Sequence, residues 1–307
     1  MIEMKQQHKT NRPQIWAIGG GKGGVGKSFV SIMLAMALAR RNQKTVLVDA
    51  DLGGANLHTL MGIKTPVRTL NDFVNRKYPS FEDICIKTSV NCLDLVCGAS
   101  EILSLANPQY AQKNKIVQSI ATMQTDHVIL DLGAGTSYNV LDFFLIAKNP
   151  IVVLTPQPIS IQNAYGFVRN TVYRKLSRLT AQKPSLQDLI KTAMDPKNEK
   201  KVRTLHDLYE SISSSHGKNI ALKLQETVSS IHPLIITNMT KENRDQNAGK
   251  IIQLVAEKYL TIQSQDLGAI QYDPIIESMV SRMIPLSELP RDSMAHICAE
   301  KIIEKVM

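Results

Sequence analysis

Residues 14–28, Gln-Ile-Trp-Ala-Ile-Gly-Gly-Gly-Lys-Gly-Gly-Val-Gly-Lys-Ser, limit what this chain can fold into more than any other stretch. Ile15 to Ile18 form a short apolar run closed by glycines, which predicts a buried strand. Gly21 to Ser28 then fits G-x-x-x-x-G-K-[ST], a phosphate-binding loop. A triphosphate is held by backbone N–H groups that converge on it, and a Cβ on each residue would block that approach. Gly21, Gly23, Gly24 and Gly26 remove the obstacle and permit positive φ. Val25 and Phe29 belong to the same binding stretch. Lys27 supplies a point charge to the β/γ-phosphates, Ser28 offers a hydroxyl to Mg²⁺, and the helix beginning here adds its positive dipole end. A strand, the loop, Lys-Ser and an apolar helix follow in the order this chemistry needs, so a plain glycine-rich turn explains less.

With 307 residues, 43% of them hydrophobic, the chain can bury a sizeable core in one large α/β domain or two small ones. No apolar run approaches the 18 or so residues of a membrane-spanning helix. Residues 1–13 are polar and basic, which predicts a flexible tail rather than a secretory signal. Cys85, Cys92, Cys97 and Cys298 lack C-x-x-C spacing and read as reduced thiols of a cytoplasmic protein, not as ligands of a metal cluster. The net charge of +9 makes nucleic acid or an anionic membrane surface a conceivable partner; a solvated basic surface explains it equally well.

Along the chain, apolar strands alternate with helical patterns. Strands are predicted at 44–49, 93–97, 127–132, 151–155, 234–238 and 267–272. Helices are predicted at 29–41, 69–76, 107–124, from 160, up to 259, and over 291–306. This alternation predicts a doubly wound, mostly parallel sheet, with ligands at the carboxyl ends of its strands. Residues 182–231 read as a helical insertion within one domain spanning 14–307. Ser185 to Asp188 forms a capping-box pattern, and Val202 to Ile212 has helical spacing.

The phosphate loop, Asp51, Asp131, Asn238 and Asp273 all fall at predicted strand ends. Asp131 follows Val-Ile-Leu and comes just before Gly133-Ala-Gly135, the position at which a carboxylate orients Mg²⁺. Of Asp49 and Asp51, the latter is assigned to the attacking water, and Asp49, closer to the buried strand, to the Mg²⁺ shell or the loop. The predicted metal set is therefore Ser28, Asp49, Asp51 and Asp131. Asn238 reads either as a contact to the adenine edge or as a turn residue. Asp273, before Pro274, either lines the base pocket or caps a helix. Arg169, Arg174, Lys175 and Arg178 share one predicted helix without acidic neighbours and form either a solvated face or a contact to an anionic polymer.

Lys-Gly-Gly-Val-Gly-Lys-Ser, with Lys22 early in the loop, resembles the deviant phosphate loop of the MinD/ParA ATPase family. Asp49-Ala-Asp-Leu-Gly-Gly-Ala-Asn-Leu-His-Thr-Leu-Met-Gly62 resembles the switch segment of MinD and of the flagellar-number regulators FlhG/FleN within it, and Asp131-Leu-Gly-Ala-Gly135 and Thr155-Pro-Gln-Pro-Ile-Ser-Ile-Gln-Asn-Ala-Tyr165 are similar to the latter. Gln157 and Asn163 replace two acids of that pattern. The resemblance implies a slow Mg-dependent ATPase that dimerises with ATP bound, Lys22 reaching the partner's nucleotide. It implies a switch governing the placement or number of a cell structure through protein partners such as flagellar or polar factors. The alternative is a ParA-like partition ATPase that binds DNA non-specifically. The expected location is cytoplasmic, with polar or peripheral membrane association open.

Overall fold

The computed structural model describes residues 12–98, 110–195, 202, 204–242, 245 and 247–307. The strands are β1 (Gln14–Gly19), β2 (Thr45–Ala50), β3 (Ile86–Lys87), β4 (Leu93–Val96), β5 (His127–Leu132), β6 (Asn149–Leu154), β7 (Leu234–Thr240) and β8 (Gln265–Gln271). They form one sheet in the order β3-β4-β2-β5-β1-β6-β7-β8. Every pairing is parallel except β3 with β4. This is the doubly wound α/β fold expected from the alternation of strands and helices. The two-residue β3 is an antiparallel addition at the edge, too short for its pattern to be read from sequence.

The helices are α1 (Lys27–Arg40), α2 (Leu57–Leu60), α3 (Leu70–Val74), α4 (Tyr110–Thr122), α5 (Tyr138–Leu145), α6 (Pro158–Leu179), α7 (Pro184–Met194), α8 (Leu205–His216), α9 (Lys218–Ser229), α10 (Ala248–Leu260), α11 (Pro274–Ser281) and α12 (Met294–Val306). The expected helix start at Asn107-Pro108 and nearly all of the expected tail lie outside the described residues. Side chains alternate across β1: Ile15 and Ala17 face a core shared with α5 and α6, while Trp16 and Ile18 face a core shared with α1 and α12. Helix α1 is apolar nearly all round because it lies between the sheet and α12; Val30 and Ile32 to Leu38 are buried. The salt bridge from Arg41 to Glu300, 2.9 Å, ties the far end of α1 to α12.

The 182–231 segment folds as α7, α8 and α9. The cap of α7 is Lys183, with Pro184 in the first turn, so the Ser185–Asp188 box is not the one used. Proline already fixes φ for that turn and cannot need the missing donor bond. Thr204 instead caps α8, with a full capping box to Asp207.

Candidate nucleotide site

The loop between β1 and α1 lies at the carboxyl edge of the sheet, where the strand order reverses between β5, β1 and β6. Gly24 and Gly26 have φ of +81° and +87°, and the loop turns on them. Gly21 is small for another reason than the one the motif supplies. A Cβ there would stand 2.1 Å from the backbone oxygen of Asn163 on α6, so packing within the protein sets this residue as firmly as any phosphate. Lys22 is exposed, while Lys27 is buried with its Nζ 3.5 Å from the Lys22 carbonyl oxygen. Burial lowers the pKa of the Lys27 ammonium, opposed by the charges of Asp131 and Asp51.

Asp49 and Asp131 sit side by side in register on β2 and β5, and both are buried. Burial pushes Asp131 up to about 6, against hydrogen bonds from Ser28 and Ser31 and the charge of Lys27. The Ser31 Oγ lies 2.9 Å from Asp131 Oδ1 and 3.0 Å from the Lys27 carbonyl oxygen. Burial, followed by the neighbouring Asp131 charge, pushes Asp49 up to about 7. Its Oδ1 accepts the Asp51 N–H at 3.2 Å and its Oδ2 the Leu57 N–H at 3.0 Å. Both oxygens of Asp49 are thus engaged by the loop that leads into α2, the loop-supporting half of its expected assignment. The Asp51 carboxylate lies beside the backbone of Gly133, where a Cβ would come within 2.9 Å of Oδ1, and it accepts the Gly53 N–H at 3.3 Å. The loop after β2 and the loop after β5 therefore touch through Asp51.

A cavity of about 490 Å³ opens beside the loop, bounded by Gly24, Ser28, Phe29, Asn238, Met239 and Asp273 among others. Asn238 is buried and its Nδ2 donates to the Val25 carbonyl at 3.0 Å, so β7 holds the loop from behind. Asp273 caps α11 through the Ile275 N–H at 2.8 Å and lines the cavity as well. Sequence reasoning missed Ser31, one helical turn after Ser28, whose spacing was the available signal. It also missed Asn163, Met239 and Gly133, which meet the site only through tertiary packing.

One expectation changes. Two of the four cations of α6 do have an acidic neighbour, on another helix: Asp142 on α5 takes a bidentate pair from Arg174, both bonds 2.8 Å, and lies 3.5 Å from Arg178. Arg169 donates to the Met194 carbonyl at 2.9 Å at the end of α7. The acid sits on a different helix, 32 residues before Arg174, beyond the reach of a local charge pattern.

The residues fit a magnesium nucleotide. A buried carboxylate lifted to about 6 is one whose charge a cation beside it would restore. The Ser28 hydroxyl is already bonded to it, and the left-handed Gly24 has nothing within 4 Å of where a Cβ would stand. No group of three His, Cys, Asp or Glu side chains stands ready for a metal among the described residues. Magnesium that keeps its waters and phosphate oxygens asks for only one or two protein ligands.

This fold, with this loop on its first crossover, defines a P-loop nucleoside-triphosphatase. The ParA family model, described as NUBPL iron-transfer P-loop NTPase, matches residues 11–174, and the chain belongs to that family. The antiactivator FleN of Pseudomonas aeruginosa is 33% identical over 168 residues, 54% of this chain and 59% of FleN. The flagellum site-determining protein YlxH of Helicobacter pylori is 31% identical over 153 residues, 50% of this chain and 52% of YlxH. The chain thus spans a little over half the length of these two relatives. A septum site-determining protein MinD from Pyrococcus horikoshii, solved with Mg-ADP, shares the fold at TM-score 0.64 and 19% identity, with 96% of each chain covered. A ParA family ATPase from Chlorobium tepidum does so at TM-score 0.61 and 16% identity, covering 95% of this chain and 98% of that one. No helix among the described residues is long and apolar enough to cross a membrane.

Proposed function

We propose that this protein is a slow Mg-dependent ATPase that dimerises with ATP bound and serves as a switch for the placement or number of a cell structure. One observation carries the reading: Lys27, Ser28, Asp51 and Asp131 converge at one sheet edge while Lys22 alone of the loop's cations points its charge outward into solvent. Lys27 neutralises charge on the β/γ-phosphates, Ser28 and Asp131 hold the Mg²⁺ side, and Asp51 orients the water that releases phosphate. Magnesium, when bound, supplies further charge neutralisation. Asp49 braces the loop that carries Asp51. The cavity by Asn238, Met239 and Asp273 takes the base. Lys22, exposed and ion-paired to no described residue, is left for a partner's nucleotide. The flagellar names of FleN and YlxH favour a flagellar or polar protein partner.

Sedimentation with a non-hydrolysable ATP analogue tests the switch. The wild type becomes a dimer, and Lys22→Ala binds the analogue but stays monomeric. An ATP-dependent dimer of undiminished affinity in Lys22→Ala would remove the cross-subunit role. The net charge of +9 keeps DNA binding as a second reading, with ATP-dependent, salt-sensitive affinity as its signature. Against it, Arg169 and Arg174 are already engaged within the protein.

A further inference from the structure

A cavity larger than the nucleotide pocket lies elsewhere in the molecule. It has a volume of about 1010 Å³ and lies among α4, α5, α6 and α7. Four cations line it, Lys113, Arg174, Arg178 and Lys191, against two acids, Asp142 and Asp188. Asp142 is the buried centre. Burial alone would raise its pKa, yet hydrogen bonds from Arg174 and Lys113 hold it below the usual carboxylate range. It is therefore an anion at neutral pH, and three cations surround it: Lys113, Arg174 and Arg178.

Arg174 engages both Asp142 oxygens, which leaves Arg178 a single long contact to that carboxylate. Lys191 on the facing wall reaches Asp188 only at 3.9 Å, and four helices bound the recess. Such a recess focuses positive potential and favours an anion. The bidentate pair occupies Nε and Nη2 of Arg174, the two donors that match a carboxylate. Arg178 contributes one long contact of 3.5 Å and remains half exposed, so most of its fork faces the cavity. A planar fork of this kind binds phosphate with two parallel hydrogen bonds. Tyr138 stands at the opening, its ring 4.2 Å from the Arg174 guanidinium. The wall carrying Lys191 belongs to α7, part of the 182–231 segment for which the nucleotide site has no use.

We propose that this cavity is a second anion site, which takes a phosphate-bearing small molecule between Arg178, Lys191 and the Asp142 cluster. It is distinct from the phosphate loop but shares a segment of chain with it: α5, which carries Asp142, starts seven positions after Asp131. Its volume is at the upper end of small-ligand pockets, room enough for more than a bare phosphate.

Calorimetry with inorganic pyrophosphate, on full-length protein first saturated with Mg-ADP in excess Mg²⁺, tests the site. Saturation removes the phosphate loop as a competitor. The expected result is a residual binding isotherm that weakens about tenfold in Arg178→Ala, the loss of a charge-assisted hydrogen bond, while Mg-ADP affinity is unchanged. Arg178→Lys recovers part of the loss, and Lys191→Ala weakens binding as well. Inorganic phosphate alone and ribose 5-phosphate, run in parallel, separate a bare-phosphate site from one that also reads an organic moiety. No residual isotherm, or one indifferent to Arg178→Ala and Lys191→Ala, overturns the proposal. So does a hexaglutamate peptide that binds at least tenfold more tightly than pyrophosphate, since the cavity would then be a docking site for acidic protein. A protein that fails to bind Mg-ADP in the first titration would contradict the ATPase reading alone; pyrophosphate binding sensitive to Arg178→Ala would still define this site.

Discussion

Replacing Asp131 by asparagine should stabilise the nucleotide-free protein, and by an amount that grows with pH. The folded carboxyl titrates at about 6 against an ordinary 3.8, because burial penalises its charge. Between those two values the native state holds a proton that the unfolded chain has released. Stability therefore falls as pH rises through this window, and the full cost is present above it. At 1.36 kcal/mol per pKa unit, linkage gives a cost of about 1 kcal/mol at pH 4.5 and about 3 kcal/mol at pH 7.5. Asparagine also turns an amide toward the Ser28 and Ser31 hydroxyls, but that effect is the same at both pH values. The difference between them, roughly 2 kcal/mol, reports the Asp131 charge together with its repulsion of Asp49, and for a chain of this size it is a Tm gap of about 4 °C. Thermal melts of wild type and Asp131→Asn at pH 4.5 and 7.5, without nucleotide, should show the variant gaining on the wild type by that amount at the higher pH. With Mg-ATP the order inverts, since the wild-type carboxylate then has a cation to face. A gap equal at both pH values would refute the argument that Asp131 is held against its own ionisation.

Asp51→Ala should bind the ATP analogue and dimerise normally while phosphate release stops, because the carboxylate is only half-buried and belongs to the loop after β2, not to a strand; wild-type turnover would sink its role. Asn238→Ala should weaken nucleotide binding about tenfold, with a loss of about 1–3 kcal/mol in stability, because the Val25 carbonyl loses its donor; unchanged affinity by calorimetry would mean the loop keeps its shape without β7. Gly21→Ala should lower Tm by several degrees, since its Cβ would overlap the Asn163 carbonyl oxygen at 2.1 Å and overpacking costs about 1–3 kcal/mol; an unaltered melt would show that α6 yields freely.

The sheet was legible because each central strand is buried on both faces and reads as a continuous apolar run; Val128 to Leu130 and Ile151 to Leu154 are examples. The nucleotide site was legible for a related reason: a parallel sheet brings its strand ends to one edge, so a loop and several acids at strand ends must converge. What sequence could not supply were contacts decided by packing. Asp142 faces Arg174 and Arg178 from another helix, and no local window contains all three. Gly21 looks like any motif glycine until α6 is seen against it. Asn238 was a strand-end amide with two readings, and its commitment to Val25 depends on how β7 and the loop are stacked. Helix α5 was missed because its eight residues are short for a periodic signal.

The bond from Asn238 to Val25 joins positions 213 residues apart. A ribosome working at roughly 5–20 residues per second needs about 10–40 s to supply the second partner after the first. Throughout that interval the nascent chain carries the complete G-K-S signature without the strand that braces it. Full nucleotide affinity is accordingly expected only late in biogenesis, once β7 has docked.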